Sequence, residues 1–278
     1  MKLHATIVLF EDNDESLKKT IFSFLNTSLD VKLYLVDNSS TTRLQYLQKL
    51  DSRIEYIYTG KNLGFGKAHN IAMRKSIEEN ANYHLVLNPD VYFDGGVIEE
   101  LSEFMEKNKD VANVMPKVFY PNGDLQYLCK LLPTPKELIA RRFIKNEQTL
   151  HKINYSYELR EFGYDKILNV PSLSGCFMFL RVECLKDVGL FDENIFMYME
   201  DIDLNRRLHA KYKTIFYPNV SITHVHTKES YKRKRLLFQH IKSTIYYFNK
   251  YGWFFDKFRN DKNKKVKKSI TELNNKNL

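Results

Sequence analysis

The sequence has little cysteine and no long hydrophobic run. Its three cysteines, Cys129, Cys176 and Cys184, form no CxxC pair and leave one without a partner. We therefore expect a reducing, cytoplasmic compartment in which the cysteines are small core residues. No stretch approaches the roughly 18 uninterrupted apolar residues that a membrane-spanning helix requires. The short apolar run at the N-terminus is not followed by a small-residue cleavage site, so no signal peptide is predicted.

Excess positive charge is also missing from most of the chain. The formal net charge is +9, but residues 228–278 hold 15 basic residues against 4 acidic ones, and the first 227 residues hold 28 against 30. A surface coated for nucleic acid is therefore not expected, whereas the tail suits a local anionic partner. With 43% apolar and 14% aromatic residues in 278, the chain can build the core of one large domain plus an extension.

Strand-like and helix-like patterns alternate along the first 120 residues, which predicts βαβ units and a mostly parallel sheet. The predicted strands are 5–10, 32–36, 54–58 and 83–88, and the predicted helices are 15–26, 44–50, 67–79 and 97–107. Residues 120–124 read as a hairpin tip, and 213–217 and 220–224 as two last short strands. Residues 129–169 read as a polar, partly mobile insertion.

Several polar segments follow the predicted strands directly. These are Asp37, the loop 59–66 and the segment Asn88-Pro89-Asp90. In parallel sheets ligands bind beyond the carboxyl ends of the strands, so these residues are expected to share a site. Segment 62–70 combines two glycines with a helix start, which suits phosphate, although a tight strand-to-helix turn explains it equally well. It matches neither the GxGxxG nor the P-loop pattern.

The segment 197–207 places three carboxylates in four positions. On a helix Glu200 and Asp203 share one face, and Asp201 points about 100° away. One carboxylate can then meet a substrate while another is anchored by Arg206 or Arg207. An ordinary acidic first helical turn is the alternative.

A cation site is the second chemical feature that the sequence suggests. Asp90 follows a very apolar strand, where a carboxylate can hold a divalent cation that also binds a diphosphate. His224 and His226 follow another strand, and because they alternate, at most one of them faces a shared site. Oxygen ligands with one imidazole favour Mg²⁺ or Mn²⁺ over structural zinc.

Together these segments resemble the family 2 glycosyltransferases. The matching stretches are Val36-Asp37-Asn38-Ser39-Ser40, Asn62-Leu63-Gly64-Phe65-Gly66 with Asn70, Asn88-Pro89-Asp90, Ser174-Gly175-Cys176, and Gly189-Leu190-Phe191-Asp192-Glu193 running into Glu200-Asp201-Ile202-Asp203-Leu204. The resemblance covers about residues 5–230 and is strongest for the rhamnosyltransferase-like branch of bacterial surface polysaccharide synthesis. It implies an α/β GT-A fold over 1–230, with a basic, amphipathic helical extension over 231–278.

The resemblance also implies roles for individual residues. Asp201 would be the catalytic base of an inverting transfer, with Glu200 beside it. Asp90, as the last residue of the family's DxD motif, and His224 would bind Mg²⁺ or Mn²⁺; Asn88 replaces the first Asp of that motif. The donor, dTDP-rhamnose or a UDP-sugar, would contact Phe10, Asp37, Asn62, Gly64, Phe65, Asn70, Asn88 and Asp90. Gly175 and Cys176 would lie on the side of a glycan or lipid-linked acceptor, together with the insertion 129–169.

The tail carries an aromatic, basic segment. Leu237, Ile241, Ile245 and Phe248 are predicted to form one helical stripe, flanked by the basic runs 232–235 and 257–268. Such a segment suits the anionic inner face of the plasma membrane, and packing against the catalytic domain is the equal alternative. Two alternatives to a glycosyltransferase stay open at this point: a nucleotidyltransferase, and a nucleic-acid-binding module that uses the tail. Under the preferred interpretation no nucleic-acid partner is expected.

Overall fold

The computed structural model describes residues 1–144, 146–226 and 234–275. Its first half is the predicted βαβ arrangement. The elements are β1 (Lys2–Leu9), α1 (Asp14–Leu25), β2 (Asp30–Asp37), a 3-10 helix (Arg43–Leu50), β3 (Ile54–Tyr58), α2 (Phe65–Glu78) and β4 (Tyr83–Leu87). The strands pair in the order β3-β2-β1-β4 and are all parallel.

The second half makes the sheet mixed. It contains β5 (Val91–Tyr92), α3 (Val97–Lys107), β6 (Val111–Phe119), α4 (Pro135–Phe143), α5 (Glu147–Tyr157), a 3-10 turn (Arg160–Phe162), β7 (Leu168–Asn169), β8 (Phe177–Arg181), α6 (Val182–Val188), α7 (Glu200–Lys211) and β9 (Lys213–His224). β8 runs antiparallel to β4 and to β6, while β9 runs parallel to β6 and antiparallel to β5 and β7. The uninterrupted parallel arrangement therefore ends at β4, and parallel pairing returns between β6 and β9.

The two short strands expected at 213–217 and 220–224 are one strand, β9. Its pairing with β6 changes register between Pro116 and Lys117, opposite the part of β9 that contains Pro218. Proline has no N–H to donate to a sheet, so the ladder is interrupted there without ending the strand. This interruption of the β6–β9 pairing explains why the sequence suggests two short strands instead of one long strand.

The 129–169 segment, expected to be partly mobile, contains α4 and α5, and its buried side chains form a core of their own. Tyr157, Phe162 and Tyr164 pack there against Phe216 of β9. The turn at 120–124 is a hairpin, in which the Tyr120 N–H donates to the Asp124 carbonyl at 2.7 Å and the Gly123 N–H donates to the Tyr120 carbonyl at 2.9 Å.

The tail forms two helices, α8 (Lys234–Tyr251) and α9 (Lys257–Asn275). Tyr247 and Phe248 are fully buried against Met199, and α9 buries Val266 and Ile270 in the core of the 129–169 segment. The predicted stripe is thus divided, because Phe248 is buried while Ile241 and Ile245 are exposed. The basic run 232–235 lies outside the residues whose side chains the structure describes.

Candidate active site

The carboxyl ends of β1, β2 and β4 meet at one edge of the sheet, where the polar residues predicted for the donor lie. Asp37, the last residue of β2, is fully buried. Its Oδ1 accepts a hydrogen bond from the Ser39 N–H at 2.8 Å, and its Oδ2 accepts one from the Tyr56 hydroxyl at 2.6 Å. A carboxylate held by both oxygens has a fixed direction, which a substrate-contacting group needs. Tyr56 was not predicted from the sequence.

The loop before α2 requires glycine at position 64. Gly64 has φ +84°, and a Cβ there would lie 2.1 Å from the carbonyl oxygen of Phe196. Its N–H is bonded to the Asn62 side chain at 2.9 Å, and its carbonyl accepts from Asn38 at 3.0 Å. The N–H of Phe65 then reaches the Phe196 carbonyl at 2.9 Å. The loop is therefore built against segment 189–199, which leads into α7.

Asn70 makes the same connection one turn further along α2. Its side-chain amide bonds both the N–H and the carbonyl of Phe191, at 3.0 and 2.9 Å, and also donates to Glu193 at 3.1 Å. Since both amide hydrogens are used within the protein, the structure gives Asn70 a positioning function. A direct contact between Asn70 and the donor stays a prediction. Phe10, by contrast, is 48% exposed at the end of β1, where an aromatic face is available for stacking.

Asp90 and His224 lie together, as expected for two ligands of one cation. Asp90 Oδ1 is 3.4 Å from Nε2 of His224, and its Oδ2 accepts from the backbone N–H of His226 at 3.0 Å. Gln126 holds the histidine on its other side, with its Oε1 3.0 Å from Nδ1 and its Nε2 donating to the His224 carbonyl at 2.6 Å. With Nδ1–H donated to Gln126, Nε2 faces Asp90, which is the orientation that a metal-binding imidazole needs.

The electrostatics of this pair are those of an ion pair. Burial by itself would lower the pKa of His224, but the adjacent Cys176 sulfur and the Asp90 carboxylate raise it to about 10. Burial opposes ionisation of Asp90 as well, yet its bonds to His224 and His226 keep its pKa below the usual range. A bound cation would take the place of the imidazole proton. Among the described residues no group of three or more His, Cys, Asp or Glu side chains could hold a metal, so these two would need ligands from the substrate.

A third carboxylate, Asp12, lies near this pair and was not predicted. Burial, together with the charges of Asp90 and Asp37, raises its pKa to about 6, against a hydrogen bond from the Phe10 N–H at 2.6 Å. Asp12 lies in the acidic loop after β1, so its position at a strand end was the available signal. The acidic edge that results attracts a cation.

Asp201 and Glu200 begin α7 and occupy different environments. Asp201 Oδ2 accepts a hydrogen bond from the Gly175 N–H at 3.0 Å, and Oδ1 accepts one from the Ile202 N–H at 2.8 Å. Glu200 is only 5% exposed, and its Oε2 has no hydrogen-bond partner. Burial raises the pKa of Glu200 well above its usual range, and the negative charge of Asp201 raises it further. Burial therefore favours the neutral form of the Glu200 carboxyl.

Segment 174–176 connects the two halves of the site. Gly175 bonds Asp201, and a Cβ at position 175 would lie 3.1 Å from the Cβ of Asp201. The carbonyl of the next residue, Cys176, accepts from the Asn88 N–H at 3.0 Å, and its sulfur is the neighbour of His224 described above. A continuous path of contacts thus joins Asp201 to the Asp90–His224 pair.

The remaining charges of α7 hold the tail. Asp203 is fully buried and bonds Arg207 at 2.9 Å and both Lys250 and Tyr251 at 2.7 Å. Arg206 forms a bidentate pair with Asp256, at 2.6 and 2.8 Å. Asp203 is thus the carboxylate of segment 197–207 that Arg207 anchors, while a substrate contact by Asp201 stays a prediction.

Comparison with known proteins assigns the chain. The family model described as glycosyl transferase family 2 matches residues 6–189, about two thirds of the sequence. The chain belongs to glycosyltransferase family 2. This family membership confirms the resemblance and makes the protein an enzyme that transfers a sugar.

Curated relatives place the glycosyltransferase among rhamnosyl- and hexosyltransferases. It is 26% identical over 249 residues to the N-acetylglucosaminyl-diphospho-decaprenol L-rhamnosyltransferase of Mycobacterium tuberculosis, covering 83% of this chain and 79% of that protein. It is 24% identical to the rhamnosyltransferase WbbL of Escherichia coli K12, covering 87% and 90%. A hexosyltransferase of low-salt glycan biosynthesis from Haloferax volcanii, Agl10, is 23% identical, covering 71% and 59%.

Solved structures confirm the GT-A fold. GalNAc-T7 with UDP, GalNAc and Mn²⁺ superposes with a TM-score of 0.61 at 14% identity, over 81% of this chain and 43% of that one. TarS residues 1–349 of S. aureus, in complex with UDP, give a TM-score of 0.55 at 13% identity, over 87% and 65%. The nucleotidyltransferase and nucleic-acid-binding alternatives are not favoured by these relatives. The described residues include no helix long and apolar enough to span a membrane.

Proposed function

We propose that this glycosyltransferase moves a sugar from a nucleoside-diphosphate donor to a hydroxyl of a lipid-linked or glycan acceptor in bacterial surface polysaccharide synthesis, with inversion at C1. The observation that carries the proposal is the path of contacts from Asp201 through Gly175 and Cys176 to Asp90 and His224. Along this path, the proposed proton acceptor Asp201 and the proposed diphosphate-binding pair Asp90 and His224 lie at one edge of the sheet. The mycobacterial and E. coli relatives support rhamnose as the sugar, and the UDP complex of TarS supports a nucleotide donor.

Asp201 acts as the base. As the acceptor oxygen bonds to C1, the C1–O bond to the diphosphate breaks, and the hydroxyl proton passes to Asp201. Glu200 supports this step because burial raises its pKa and favours its neutral form, so it places no second negative charge beside Asp201. The backbone N–H groups of Gly175 and Ile202 fix the direction of the carboxylate. Glu200 is buried and therefore acts through Asp201 rather than on the acceptor.

At the donor end, Asp90 and His224 would hold Mg²⁺ or Mn²⁺, with the donor diphosphate supplying further oxygen ligands. A divalent cation bound there neutralises the charge that develops on the departing diphosphate. Gln126 orients His224 for this function, and Asp12 adds negative charge to the same edge. Asp37, Asn62, Gly64, Phe65 and Asn88 would line the donor pocket.

Thermal stabilisation by nucleotides tests the donor site. The purified protein is heated with dTDP, UDP, GDP or ADP, each with Mn²⁺, Mg²⁺ or EDTA. We expect a metal-dependent rise in Tm with dTDP or UDP. Asp90→Ala should lose this rise, whereas Asp110→Ala, which removes an exposed carboxylate paired with Lys213, should keep it. The absence of any shift with any nucleotide would overturn the proposed donor.

The tail supports a location at the cytoplasmic face of the membrane. Phe238, Ile241 and Ile245 recur at helical spacing on α8 with exposures of 66, 46 and 44%, and Phe254 and Phe255 after α8 are 77 and 96% exposed. Lysines of α9 lie further along the same extension. Exposed aromatic and aliphatic residues near lysines suit an anionic lipid surface.

Flotation with phosphatidylglycerol-containing liposomes tests this location. Replacing Phe254 and Phe255 by Ser should reduce the bound fraction, because neither side chain is buried in the fold. Replacing Phe22 by Ser, at an exposed phenylalanine of α1 outside the tail, is the matched control. Equal flotation of all three proteins would remove the tail from the proposal.

A further inference from the structure

One lysine beside the proposed base has no function in the reaction described so far. Lys130 lies in a short extended segment after β6, and the chain is fixed there at four consecutive residues. The hydrogen bonds are Cys129 N–H to the Tyr164 hydroxyl at 3.0 Å, Lys130 N–H to the Ser172 carbonyl at 2.9 Å, Leu131 N–H to the Tyr157 carbonyl at 3.0 Å and Leu132 N–H to the Asn263 side chain at 2.9 Å. The position of Lys130 is therefore set by the fold.

The neighbours of Lys130 in sequence are core residues. Cys129, Leu131 and Leu132 are at most 2% exposed, and Cys129 and Leu131 belong to the hydrophobic core that contains Tyr157. Because side chains alternate along an extended segment, Lys130 is directed away from that core. Its pairing with Ser172 places it beside the strand segment that leads to Gly175.

The charges around Lys130 come from three other parts of the chain. Burial is the main cause that lowers the pKa of Lys130, and the guanidinium of Arg141 lowers it further. The negative charges of Asp201 and Glu158 act in the opposite direction and raise this pKa. Glu158 is already paired, because its carboxylate bonds Arg141 at 2.9 Å and Arg160 at 2.6 Å. Asp201 is the carboxylate near Lys130 that no arginine or lysine neutralises within 4.0 Å among the described residues.

Lys130 itself forms no ion pair within 4.0 Å with any residue of the described ranges. Lys130 is only partly exposed, and an ammonium group that has lost part of its water without gaining a counter-ion is stabilised when an anionic ligand pairs with it. A phosphate oxygen satisfies an ammonium group with a charge-assisted hydrogen bond. In a sugar 1-diphosphate the phosphates lie across the sugar ring from free hydroxyls. The site offers the Lys130 ammonium group for such a phosphate and Asp201 for the proton of such a hydroxyl.

We infer that Lys130 binds the phosphate of a phosphorylated acceptor, a sugar 1-diphosphate on a lipid carrier, and thereby selects such acceptors over neutral glycans. The inference rests on the proposed function, in which Asp201 receives the proton of the acceptor hydroxyl. The donor diphosphate is the other source of the same chemistry. It is assigned to Asp90 and His224, so the donor and acceptor arms of the test must be measured separately.

Binding to paired probes separates these sources. The protein is first saturated with the nucleoside diphosphate and cation that give the largest Tm shift. It is then titrated calorimetrically with N-acetylglucosaminyl diphosphate carrying a ten-carbon prenyl chain, and in parallel with the neutral octyl N-acetylglucosaminide. Lys130→Met should weaken binding of the diphosphate probe by about 10- to 100-fold. It should leave the neutral probe and the nucleotide unchanged.

Two control variants sharpen the result. Lys130→Arg keeps the charge and should retain most of the affinity for the diphosphate probe. Lys166→Met removes one positive charge from the same segment, at a lysine that donates to the Leu273 carbonyl, and should change nothing. If Lys130→Met does not fold, Lys130→Gln takes its place, with the melting curve as the criterion.

Each outcome decides the inference. Unchanged binding of the diphosphate probe in Lys130→Met overturns it while the proposed function stands. Weaker nucleotide binding in that variant also overturns it, because Lys130 would then serve the donor. Failure of the wild-type protein to bind the diphosphate probe counts against the acceptor class itself, and the inference falls with it, whereas the nucleotide titration still reports the donor site.

Discussion

At the residue scale, the site assigns different functions to carboxylates of similar sequence context. Glu200, Asp201 and Asp203 lie within one helical turn, yet the first is buried and has a raised pKa, the second accepts two backbone N–H groups, and the third is bonded by three side chains. The difference arises from what each side chain meets rather than from its position in α7. Desolvation and local hydrogen bonds thus give the proposed base, Asp201, surroundings unlike those of its two acidic neighbours.

The first prediction concerns the base. Asp201→Asn keeps the shape of the side chain but cannot accept a proton, so transfer should fall by roughly 10² to 10⁴-fold. Nucleotide binding, measured by Tm shift, should be unchanged because Asp201 is not among the donor contacts. Asp187→Asn, at an exposed carboxylate paired with Lys211, is the control and should have normal activity. A turnover of Asp201→Asn near that of the wild type would reject the assignment.

The second prediction uses two glycines of one loop. Gly60 and Gly64 both have positive φ, +70° and +84°, but only at Gly64 would a Cβ meet another atom, the Phe196 carbonyl oxygen. Gly60→Ala should cost about 1 kcal/mol of unfolding free energy from backbone strain alone. Gly64→Ala should cost about 3 kcal/mol, because the overlap adds to the strain. Urea titrations of both variants measure the difference, and equal costs would show that the overlap is relieved.

At the element scale, the catalytic helix and the tail form one unit. α7 carries the proposed base, Asp201, at its N-terminus, and one to two turns into the helix Asp203 and Arg206 bind α8 and the start of α9. The tail therefore contributes to the stability of the helix that positions Asp201. Any membrane contact made by α8 would act on the same helix.

The third prediction tests this connection. Asp256→Asn leaves the 6%-exposed Arg206 without its charge partner, which should cost about 3–5 kcal/mol of unfolding free energy. The double variant Arg206→Met with Asp256→Asn should recover part of that cost, because Arg206 is then no longer a buried unpaired charge, although Arg259 still loses the carboxylate 3.9 Å away. Glu103→Gln, in an exposed pair with Lys107, should change stability by less than about 1 kcal/mol. A similar small effect for Asp256→Asn would mean that water reaches Arg206.

How far the sequence predicted the structure also depends on the element. The parallel half of the sheet could be predicted from the sequence, because β1, β2 and β4 are apolar strands that alternate with amphipathic helices and are followed by polar residues. The antiparallel addition of β8 could not, because a buried strand has the same pattern in either direction. Segment 129–169 reads as a polar insertion because its few aromatic residues find their partners far away in sequence, at Phe216 and in α9.

The same reasoning applies to the site. Asp37, Asp90, Glu200 and Asp201 could be predicted, since each stands at a strand end or in a dense acidic segment. Their partners could not, because Tyr56, Gln126 and Lys130 have ordinary sequence surroundings and reach the site only through the pairing of distant strands. Contacts that determine protonation are thus largely invisible in a single sequence.

At the scale of the whole molecule, buried histidines control how stability depends on pH. Four of them have pKa values below the usual range, chiefly because burial disfavours the charged ring: His4 at about 4, His69 and His209 at about 3, and His84 well below normal. Below pH 6.5 the unfolded chain gains these protons and the folded chain does not. Their contribution is therefore complete above pH 6.5 and is lost as the pH falls toward 4.

Two buried carboxyls oppose this trend. Asp12, with a pKa of about 6, and Glu200, with a raised pKa, take up protons in the folded state before the unfolded state does. Between pH 6 and 5, before the carboxyls with lowered pKa values titrate strongly in the unfolded chain, the four histidines less the two carboxyls give the unfolded chain a net excess of about two protons. Each one makes the unfolding free energy fall by about 1.4 kcal/mol per pH unit.

The fourth prediction follows from that balance. The unfolding free energy should decrease by roughly 3 kcal/mol per pH unit over this interval, measured by urea titration at several pH values. A variant at His69 tests whether buried histidines cause this pH dependence. Both ring nitrogens of His69 are buried without a hydrogen-bond partner, and its ring packs on Phe65 and Phe191. In His69→Leu the slope should fall by about 1.4 kcal/mol per pH unit, since one proton acceptor of the unfolded state is gone. An unchanged slope would show that His69 is protonated equally in both states, which its burial among aromatic rings argues against.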